Sequence, residues 1–134
     1  MENVRRTPAS LKKMVEIFGM EILHKGRDFD NTVVTISDVN RTDLQLVGFY
    51  DYFDDRRLQI LGRGEMRILD RMTETERMRV FNKLLSYPFP ALIVAREMGV
   101  PMARVQMGEK HDRALLRSAE STVDVARELI DERG

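Results

Sequence analysis

The chain has 134 residues, 43% hydrophobic and 33% charged, which is enough apolar material for one ordinary core and too much for a disordered segment. Twenty-two basic residues balance 22 acidic ones, so the basic footprint of a nucleic-acid binder is missing and no nucleic-acid partner is expected. Cysteine is absent, which excludes a disulfide framework, a thiolate metal site and a thiol nucleophile and fits a reducing compartment.

The amino terminus, Met1-Glu2-Asn3-Val4-Arg5-Arg6, is polar and lacks the apolar core of a signal peptide. No stretch approaches the roughly 18 consecutive apolar residues of a membrane span, so no membrane partner is expected. Thr7-Pro8 opens the first predicted helix, with Thr7 as cap and Pro8 at the first helical position. Leu11, Met14, Val15 and Phe18 give it one apolar face, and Gly19 is its stop. Met20 to Leu23 reads as a short strand and His24 to Asp28 as a turn, with His24 either structural or a site residue. Val33 to Ile36 is a β-branched strand.

Ser37 to Arg41 reads as a polar turn. Asp38 and Asn40 suit turn chemistry, because their short side chains bond nearby backbone. The same loop also suits an anion or carbohydrate at a strand's carboxyl end, with Arg41 supplying charge. A short helical piece around Leu44, Leu46 and Val47 closes at Gly48. Then comes a block of rings and acids, Phe49-Tyr50-Asp51-Tyr52-Phe53-Asp54-Asp55, in which Phe49, Tyr50, Tyr52 and Phe53 suit an interface. Arg56 and Arg57 are expected to pair with these acids, within the chain or across a subunit boundary.

Leu58 to Leu61 is the next strand. Gly62-Arg63-Gly64 is a poor phosphate loop, because a dinucleotide fingerprint needs a third glycine where Arg67 stands. A short helix is predicted over Glu65 to Arg71. Thr73 and Glu76 form a capping box for another, whose buried face is Met78, Phe81, Leu84 and Leu85. Tyr87-Pro88-Phe89-Pro90 ends that helix. Ala91 to Ala95 is a continuous apolar run, the mark of a strand buried on both faces. Pro101 to Lys110 reads as helix, Ala114 to Arg117 as strand, and Ser121 to Asp124 as the cap of a last helix lined by Val123, Ala126, Leu129 and Ile130. The alternation predicts one α/β domain over 1–134, a mainly parallel sheet flanked by helices.

Chemistry is harder to find. No glycine begins a G-x-x-x-x-G-K-[ST] phosphate loop, and His24 and His111 have no second histidine at a metal-ligand spacing. His111-Asp112 reads as a solvated loop. No catalytic residue, metal ligand or resident cofactor is assigned.

The order Ser37-Asp38-Val39-Asn40-Arg41, Leu44-Gln45-Leu46, Gly48-Phe49, Asp51-Tyr52-Phe53, then Arg57, Gln59 and Gly62, closely resembles the amino-terminal domain of HPr kinase/phosphorylase, the bacterial HPr serine kinase. Further resemblance lies in Glu21-Ile22-Leu23-His24 and in Leu115-Leu116-Arg117-Ser118, so it extends over essentially the whole chain. One departure is Thr42-Asp43, where family members often carry Pro-Gly. The resemblance implies a fold like the leading domain of the muramyl-peptide ligases. It also implies a cytoplasmic, oligomeric parent enzyme that phosphorylates a serine of HPr and reverses the reaction by phosphorolysis, linking the sugar phosphotransferase system to carbon catabolite repression. In that family ATP and magnesium belong to a carboxyl-terminal P-loop domain. The chain is therefore expected to be a non-catalytic regulatory and assembly domain, either an excised half or a natural protein carrying that half alone. Its interface would use Phe49, Tyr50, Tyr52, Phe53, Arg56 and Arg57, it would form a homo-oligomer, and HPr would be met only by the missing domain. The alternative is a stand-alone sensor holding an anionic metabolite or nucleotide sugar through Asp38, Asn40, Arg41 and Arg96.

Overall fold

The computed structural model describes residues 8–35, 39–95 and 108–118. The Thr7 cap, Ile36, Asp38, Arg96, most of the 101–110 helix and the helix after Ser121 lie outside them. A five-stranded sheet in the order β2-β7-β6-β5-β4 organises the rest. Its strands are β2 (Glu21–His24), β4 (Val39–Arg41), β5 (Leu58–Leu61), β6 (Leu92–Val94) and β7 (Leu115–Arg117). The pairs β4–β5, β5–β6 and β6–β7 are parallel, and β2 closes one edge antiparallel to β7. The predicted α/β architecture is therefore the observed one.

Side-chain alternation along the strands divides the core in two. Leu58, Ile60, Ile93 and Leu116 face one layer, made by α1 (Leu11–Phe18), the 3₁₀ turn Phe29–Asn31 and a small antiparallel ribbon of β1 (Ala9–Ser10) with β3 (Val33–Val34). Leu61, Leu92, Val94 and Leu115 face the other layer, made by α2 (Asp43–Leu46), α3 (Arg63–Asp70) and α4 (Glu74–Leu85). Phe81, Leu84, Leu85 and Phe89 are essentially solvent-free there, each stabilising the fold by ~1.5–3 kcal/mol through burial. The central strands read as unbroken apolar runs because both faces are covered.

Three local expectations change. The first helix begins at Leu11, with the Ser10 hydroxyl accepting from the Lys13 N–H at 3.0 Å, and Pro8 lies before it. The ribbon decides this: Ser10 pairs with Val33 and the Leu11 N–H bonds the Thr32 carbonyl, so the helix cannot start earlier. The segment read as a turn up to Arg41 contains β4, the edge strand, paired in register with Leu58, Gln59 and Ile60. The third helix starts at Arg63 rather than Glu65, because the Glu65 carboxylate reaches back to the Gly62 N–H at 2.7 Å and caps it. Gly19 and Gly48, the two predicted stops, have φ of 62° and 94°, backbone that disfavours any side chain. The Thr73–Glu76 capping box is present in both directions.

Candidate functional site

The block around residues 40–59 is held by a chain of side-chain amides. Gln59 is fully buried in β5 and Gln45 nearly so in α2. The Asn40 amide in β4 donates to both, at 2.7 Å to Gln59 Oε1 and 3.0 Å to Gln45 Oε1. Gln45 passes its own donor to the Phe49 carbonyl at 3.2 Å, and Gln59 donates to the Arg57 carbonyl at 2.8 Å. Both ends of the loop between α2 and β5 are thereby pinned from inside. Arg57 adds a bond from Nη2 to the Val39 carbonyl at 2.6 Å, and Arg56 folds onto Asp54 through Nε and Nη2 at 3.0 and 3.2 Å. The Arg56 guanidinium holds the Asp54 carboxyl below its ordinary value. Arg56 thus meets a predicted acid, and the charge of Arg57 also acts on the Asp54 carboxyl.

The four rings of the block separate into two pairs. Tyr50 and Phe53 turn inward onto Tyr87: Tyr50 stacks on it at 4.9 Å between centroids, and Phe53 meets both edge-on at 5.4 and 5.1 Å. Lys83 lies over the Tyr50 ring at 4.6 Å. Burial, with the neighbouring Tyr87, pushes the Tyr50 phenol up to about 12, and its hydroxyl is enclosed without a hydrogen-bond partner. Phe49 and Tyr52 turn outward with their rings 6.3 Å apart. Tyr52 is 91% exposed, and Leu44 on α2 and Val47 at its carboxyl end are exposed near Phe49, whose N–H bonds the Leu44 carbonyl. Leu44, Val47, Phe49 and Tyr52 thus make one exposed apolar surface on a loop that cannot readily collapse.

Asn40 and Arg41 come together at the carboxyl edge of the sheet, where open parallel sheets bind ligands. Each already has internal partners. Arg41 makes a two-pronged contact with Glu65, Nε to Oε2 at 3.2 Å and Nη2 to Oε1 at 3.1 Å. Glu65 is itself buried at the amino end of α3. A carboxylate of the chain therefore fills the position at that helix end that an anionic ligand would take. Asp38 and Arg96, the other two predicted anion ligands, lie outside the described residues.

A cavity of about 470 Å³ opens at the opposite edge, before β5, β6 and β7, lined by Lys25, Phe29, Asp55, Phe89, Asp112 and Arg113 among others. Its charges are mixed and several are engaged: Lys25 with Asp30 at 3.4 Å, and Arg113 with the Leu85 carbonyl at 2.9 Å. His24 lies 3.5 Å from Asp112. His111, expected in a solvated loop, is half-buried and meets the Asn82 amide oxygen at 2.6 Å. Burial, then Lys110 and Arg113, lower its pKa. Among the described residues no cluster of three or more metal-ligating side chains occurs, and no helix is long and apolar enough to cross a membrane.

Sequence reasoning missed Gln45 and Gln59. A glutamine in a short helix or a strand reads as solvent-facing, and what marked these two was their place in the resemblance, in Leu44-Gln45-Leu46 and at Gln59.

The family model described as HPr Serine kinase N terminus matches residues 9–131. The chain belongs to that family. It is 33% identical over 113 residues to an HPr kinase/phosphorylase of Peptoclostridium acidaminophilum, covering 84% of this chain and 36% of the relative. A second HPr kinase/phosphorylase, from Caldanaerobacter subterraneus subsp. tengcongensis, is 31% identical over 122 residues, covering 91% and 40%. This HPr serine kinase amino-terminal domain thus spans a little over a third of the curated relatives it matches. Its fold is similar, at 13% identity and a TM-score of 0.63, to the CBS and DRTGG domains of the regulatory region of Clostridium perfringens pyrophosphatase complexed with an activator, diadenosine tetraphosphate; the match covers 90% of this chain and 46% of that one.

Proposed function

We propose that the chain is a non-catalytic regulatory and assembly domain of a cytoplasmic HPr serine kinase/phosphorylase, acting in the control of the sugar phosphotransferase system and catabolite repression. ATP, magnesium and HPr would be handled by the remainder of that enzyme, consistent with the absence of a P-loop pattern from this sequence. The observation that carries the assembly role is the exposed surface of Leu44, Val47, Phe49 and Tyr52 on a loop pinned by three buried or half-buried amides. A surface fixed before contact loses little conformational entropy on docking. Tyr52 and Val47 are 91% and 65% exposed and belong to neither core cluster, so the pair Val47→Ser and Tyr52→Ser should reduce self-association in sedimentation equilibrium with little change in the unfolding midpoint. Unchanged association in that double variant would refute the assembly role.

A second reading, a sensor of an anionic metabolite, is favoured by one observation, the fold likeness to a regulatory region complexed with a dinucleotide activator. On this reading an incoming phosphate would have to displace Glu65 from Arg41. Titration with diadenosine tetraphosphate or nucleotide sugars, followed by thermal shift, should then give a stabilised midpoint that Arg41→Met abolishes. A flat response across these probes would remove the sensor reading.

A further inference from the structure

We propose that the cavity at the amino ends of β5, β6 and β7 binds a free α-amino acid with a large apolar side chain, Arg113 taking its carboxylate and Asp28 and Asp55 its ammonium group. The site lies at the opposite end of the sheet from Arg41 and rests on neither reading above.

Four connections meet there: the one after β2 and those leading into β5, β6 and β7. The volume, about 470 Å³, falls in the range of small-molecule sites. Its walls are fixed before any ligand arrives. Gly26 packs so close to the segment before β7 that a Cβ on it would touch the Ala114 nitrogen and the Asp112 carbonyl oxygen, each at 3.4 Å. The Arg27 N–H donates to both carboxylate oxygens of Asp112 at 3.1 Å, and the Thr32 hydroxyl donates to the Asp28 carbonyl at 2.6 Å. Phe29, Phe89, Pro88 and Pro90 line the space with apolar surface.

The charged side chains of the cavity fall into two groups. Lys25, Arg56 and Asp112 are engaged within the chain, with Asp30 at 3.4 Å, with Asp54 at 3.0 Å and with the Arg27 N–H. Asp28 precedes the 3₁₀ turn without capping it, and among the described residues neither its carboxylate nor that of Asp55 has a hydrogen bond or ion pair. Arg113 is half-buried, with its Nε on the Leu85 carbonyl at 2.9 Å and its guanidinium 5.6 Å from the centre of the Phe89 ring. Its two Nη groups, which can grip a carboxylate in parallel bonds, have no partner among the described residues. Burial lowers the Arg113 pKa despite the neighbouring Asp112 charge, so the guanidinium is short of negative charge around it. A cation and two acids that line one cavity without pairing favour a ligand carrying both signs, since an ion of either sign alone is repelled by one of them. An amino acid holds both charges on one carbon, and a large apolar side chain is desolvated against the rings and prolines.

The test is a titration of the 134-residue chain with L-phenylalanine, followed by backbone amide NMR shifts. Saturable changes are expected at Gly26, Phe29, Phe89 and Ala114. Hydrocinnamate, which lacks the ammonium group, and phenethylamine, which lacks the carboxylate, should each bind about tenfold more weakly. Asp28→Asn with Asp55→Asn should weaken L-phenylalanine by about the same factor while hydrocinnamate binds as well or better. A collapsed cavity would lose both ligands, whereas neutral amides only lift repulsion from the anion. Arg113→Lys keeps the charge without the fork, so it should weaken L-phenylalanine and hydrocinnamate and spare phenethylamine. Arg41→Met should leave every titration unchanged, which separates this site from the sensor reading. Three results would overturn the proposal: no saturable shift with L-phenylalanine, hydrocinnamate binding the unaltered chain as tightly as the amino acid, or an asparagine pair that binds L-phenylalanine unchanged.

Discussion

Replacing Gln59 by leucine tests whether the amide chain holds the aromatic loop. Gln59 has no exposed surface, accepts from Asn40 at 2.7 Å and donates to the Arg57 carbonyl at 2.8 Å. Its contact with the Asp54 carbonyl, at 3.5 Å, is too long to count for much. Leucine keeps the volume but leaves the Arg57 carbonyl without that donor and Asn40 with one acceptor in place of two. Two neutral hydrogen bonds at about 1 kcal/mol each give a loss of ~2 kcal/mol. For a domain of this length that is a fall of roughly 8 °C in the unfolding midpoint. Urea unfolding with an unchanged m-value would measure it. Hydrogen exchange adds a local readout: the Phe53 and Arg57 amides, bonded to Tyr50 and Asp54 within the loop, should exchange faster than those of α4. A loss below about 0.5 kcal/mol, or uniform exchange across the domain, would refute a loop pinned by these amides.

Other consequences follow from single groups. Glu65→Ala removes the cap on Gly62 and the Arg41 partner together, and ~2 kcal/mol of stability should go with it, read as a lower urea midpoint. Glu76 has its carboxyl pKa lowered by the Thr73 N–H. A depressed folded pKa means its contribution is present above the ordinary glutamate range and fades as pH falls through the lower, folded value. Glu76→Gln should therefore flatten the acid limb of the stability profile and leave the alkaline limb alone. Tyr50 is raised to about 12, so its contribution is complete below its ordinary value of 10.0 and is lost as pH rises from there toward 12. Tyr50→Phe deletes a hydroxyl that has no partner while keeping the stack on Tyr87, so the denaturation midpoint should hold or rise, and the alkaline loss should shrink.

Where residue choice is forced by burial, the chain was legible. Ala91 to Ala95 announced a strand covered on both faces, and Leu92, Ile93 and Val94 form one, with two cores either side of it. Gly19, Gly48 and the Thr73–Glu76 box marked helix ends through local chemistry alone. The failures share a cause, which is that the deciding partner is distant in sequence. Asn40 suits a turn until Gln59, 19 residues on, supplies an acceptor and β5 supplies a register, and only then does Val39–Arg41 become a strand. Pro8 and Thr7 suit a helix start until Val33 pairs with Ser10 and moves the cap.

The same distance effect governs the candidate surface. Alternation alone makes Phe49, Tyr50, Tyr52 and Phe53 equivalent, and nothing local says which rings stay outside. Tyr87, arriving from the end of α4, packs against Tyr50 and Phe53 and leaves both half-buried. What remains outside is Phe49 and Tyr52, joined by Leu44 and Val47, which the pattern of α2 had assigned to no face in particular. The block's ring content therefore serves two ends. Half of it anchors the loop to α4, and that anchoring, with the amides beneath, keeps the other half from folding back onto the domain. A surface that were merely loose would bury those rings against the nearest apolar neighbour; one held open at both ends leaves them for a partner.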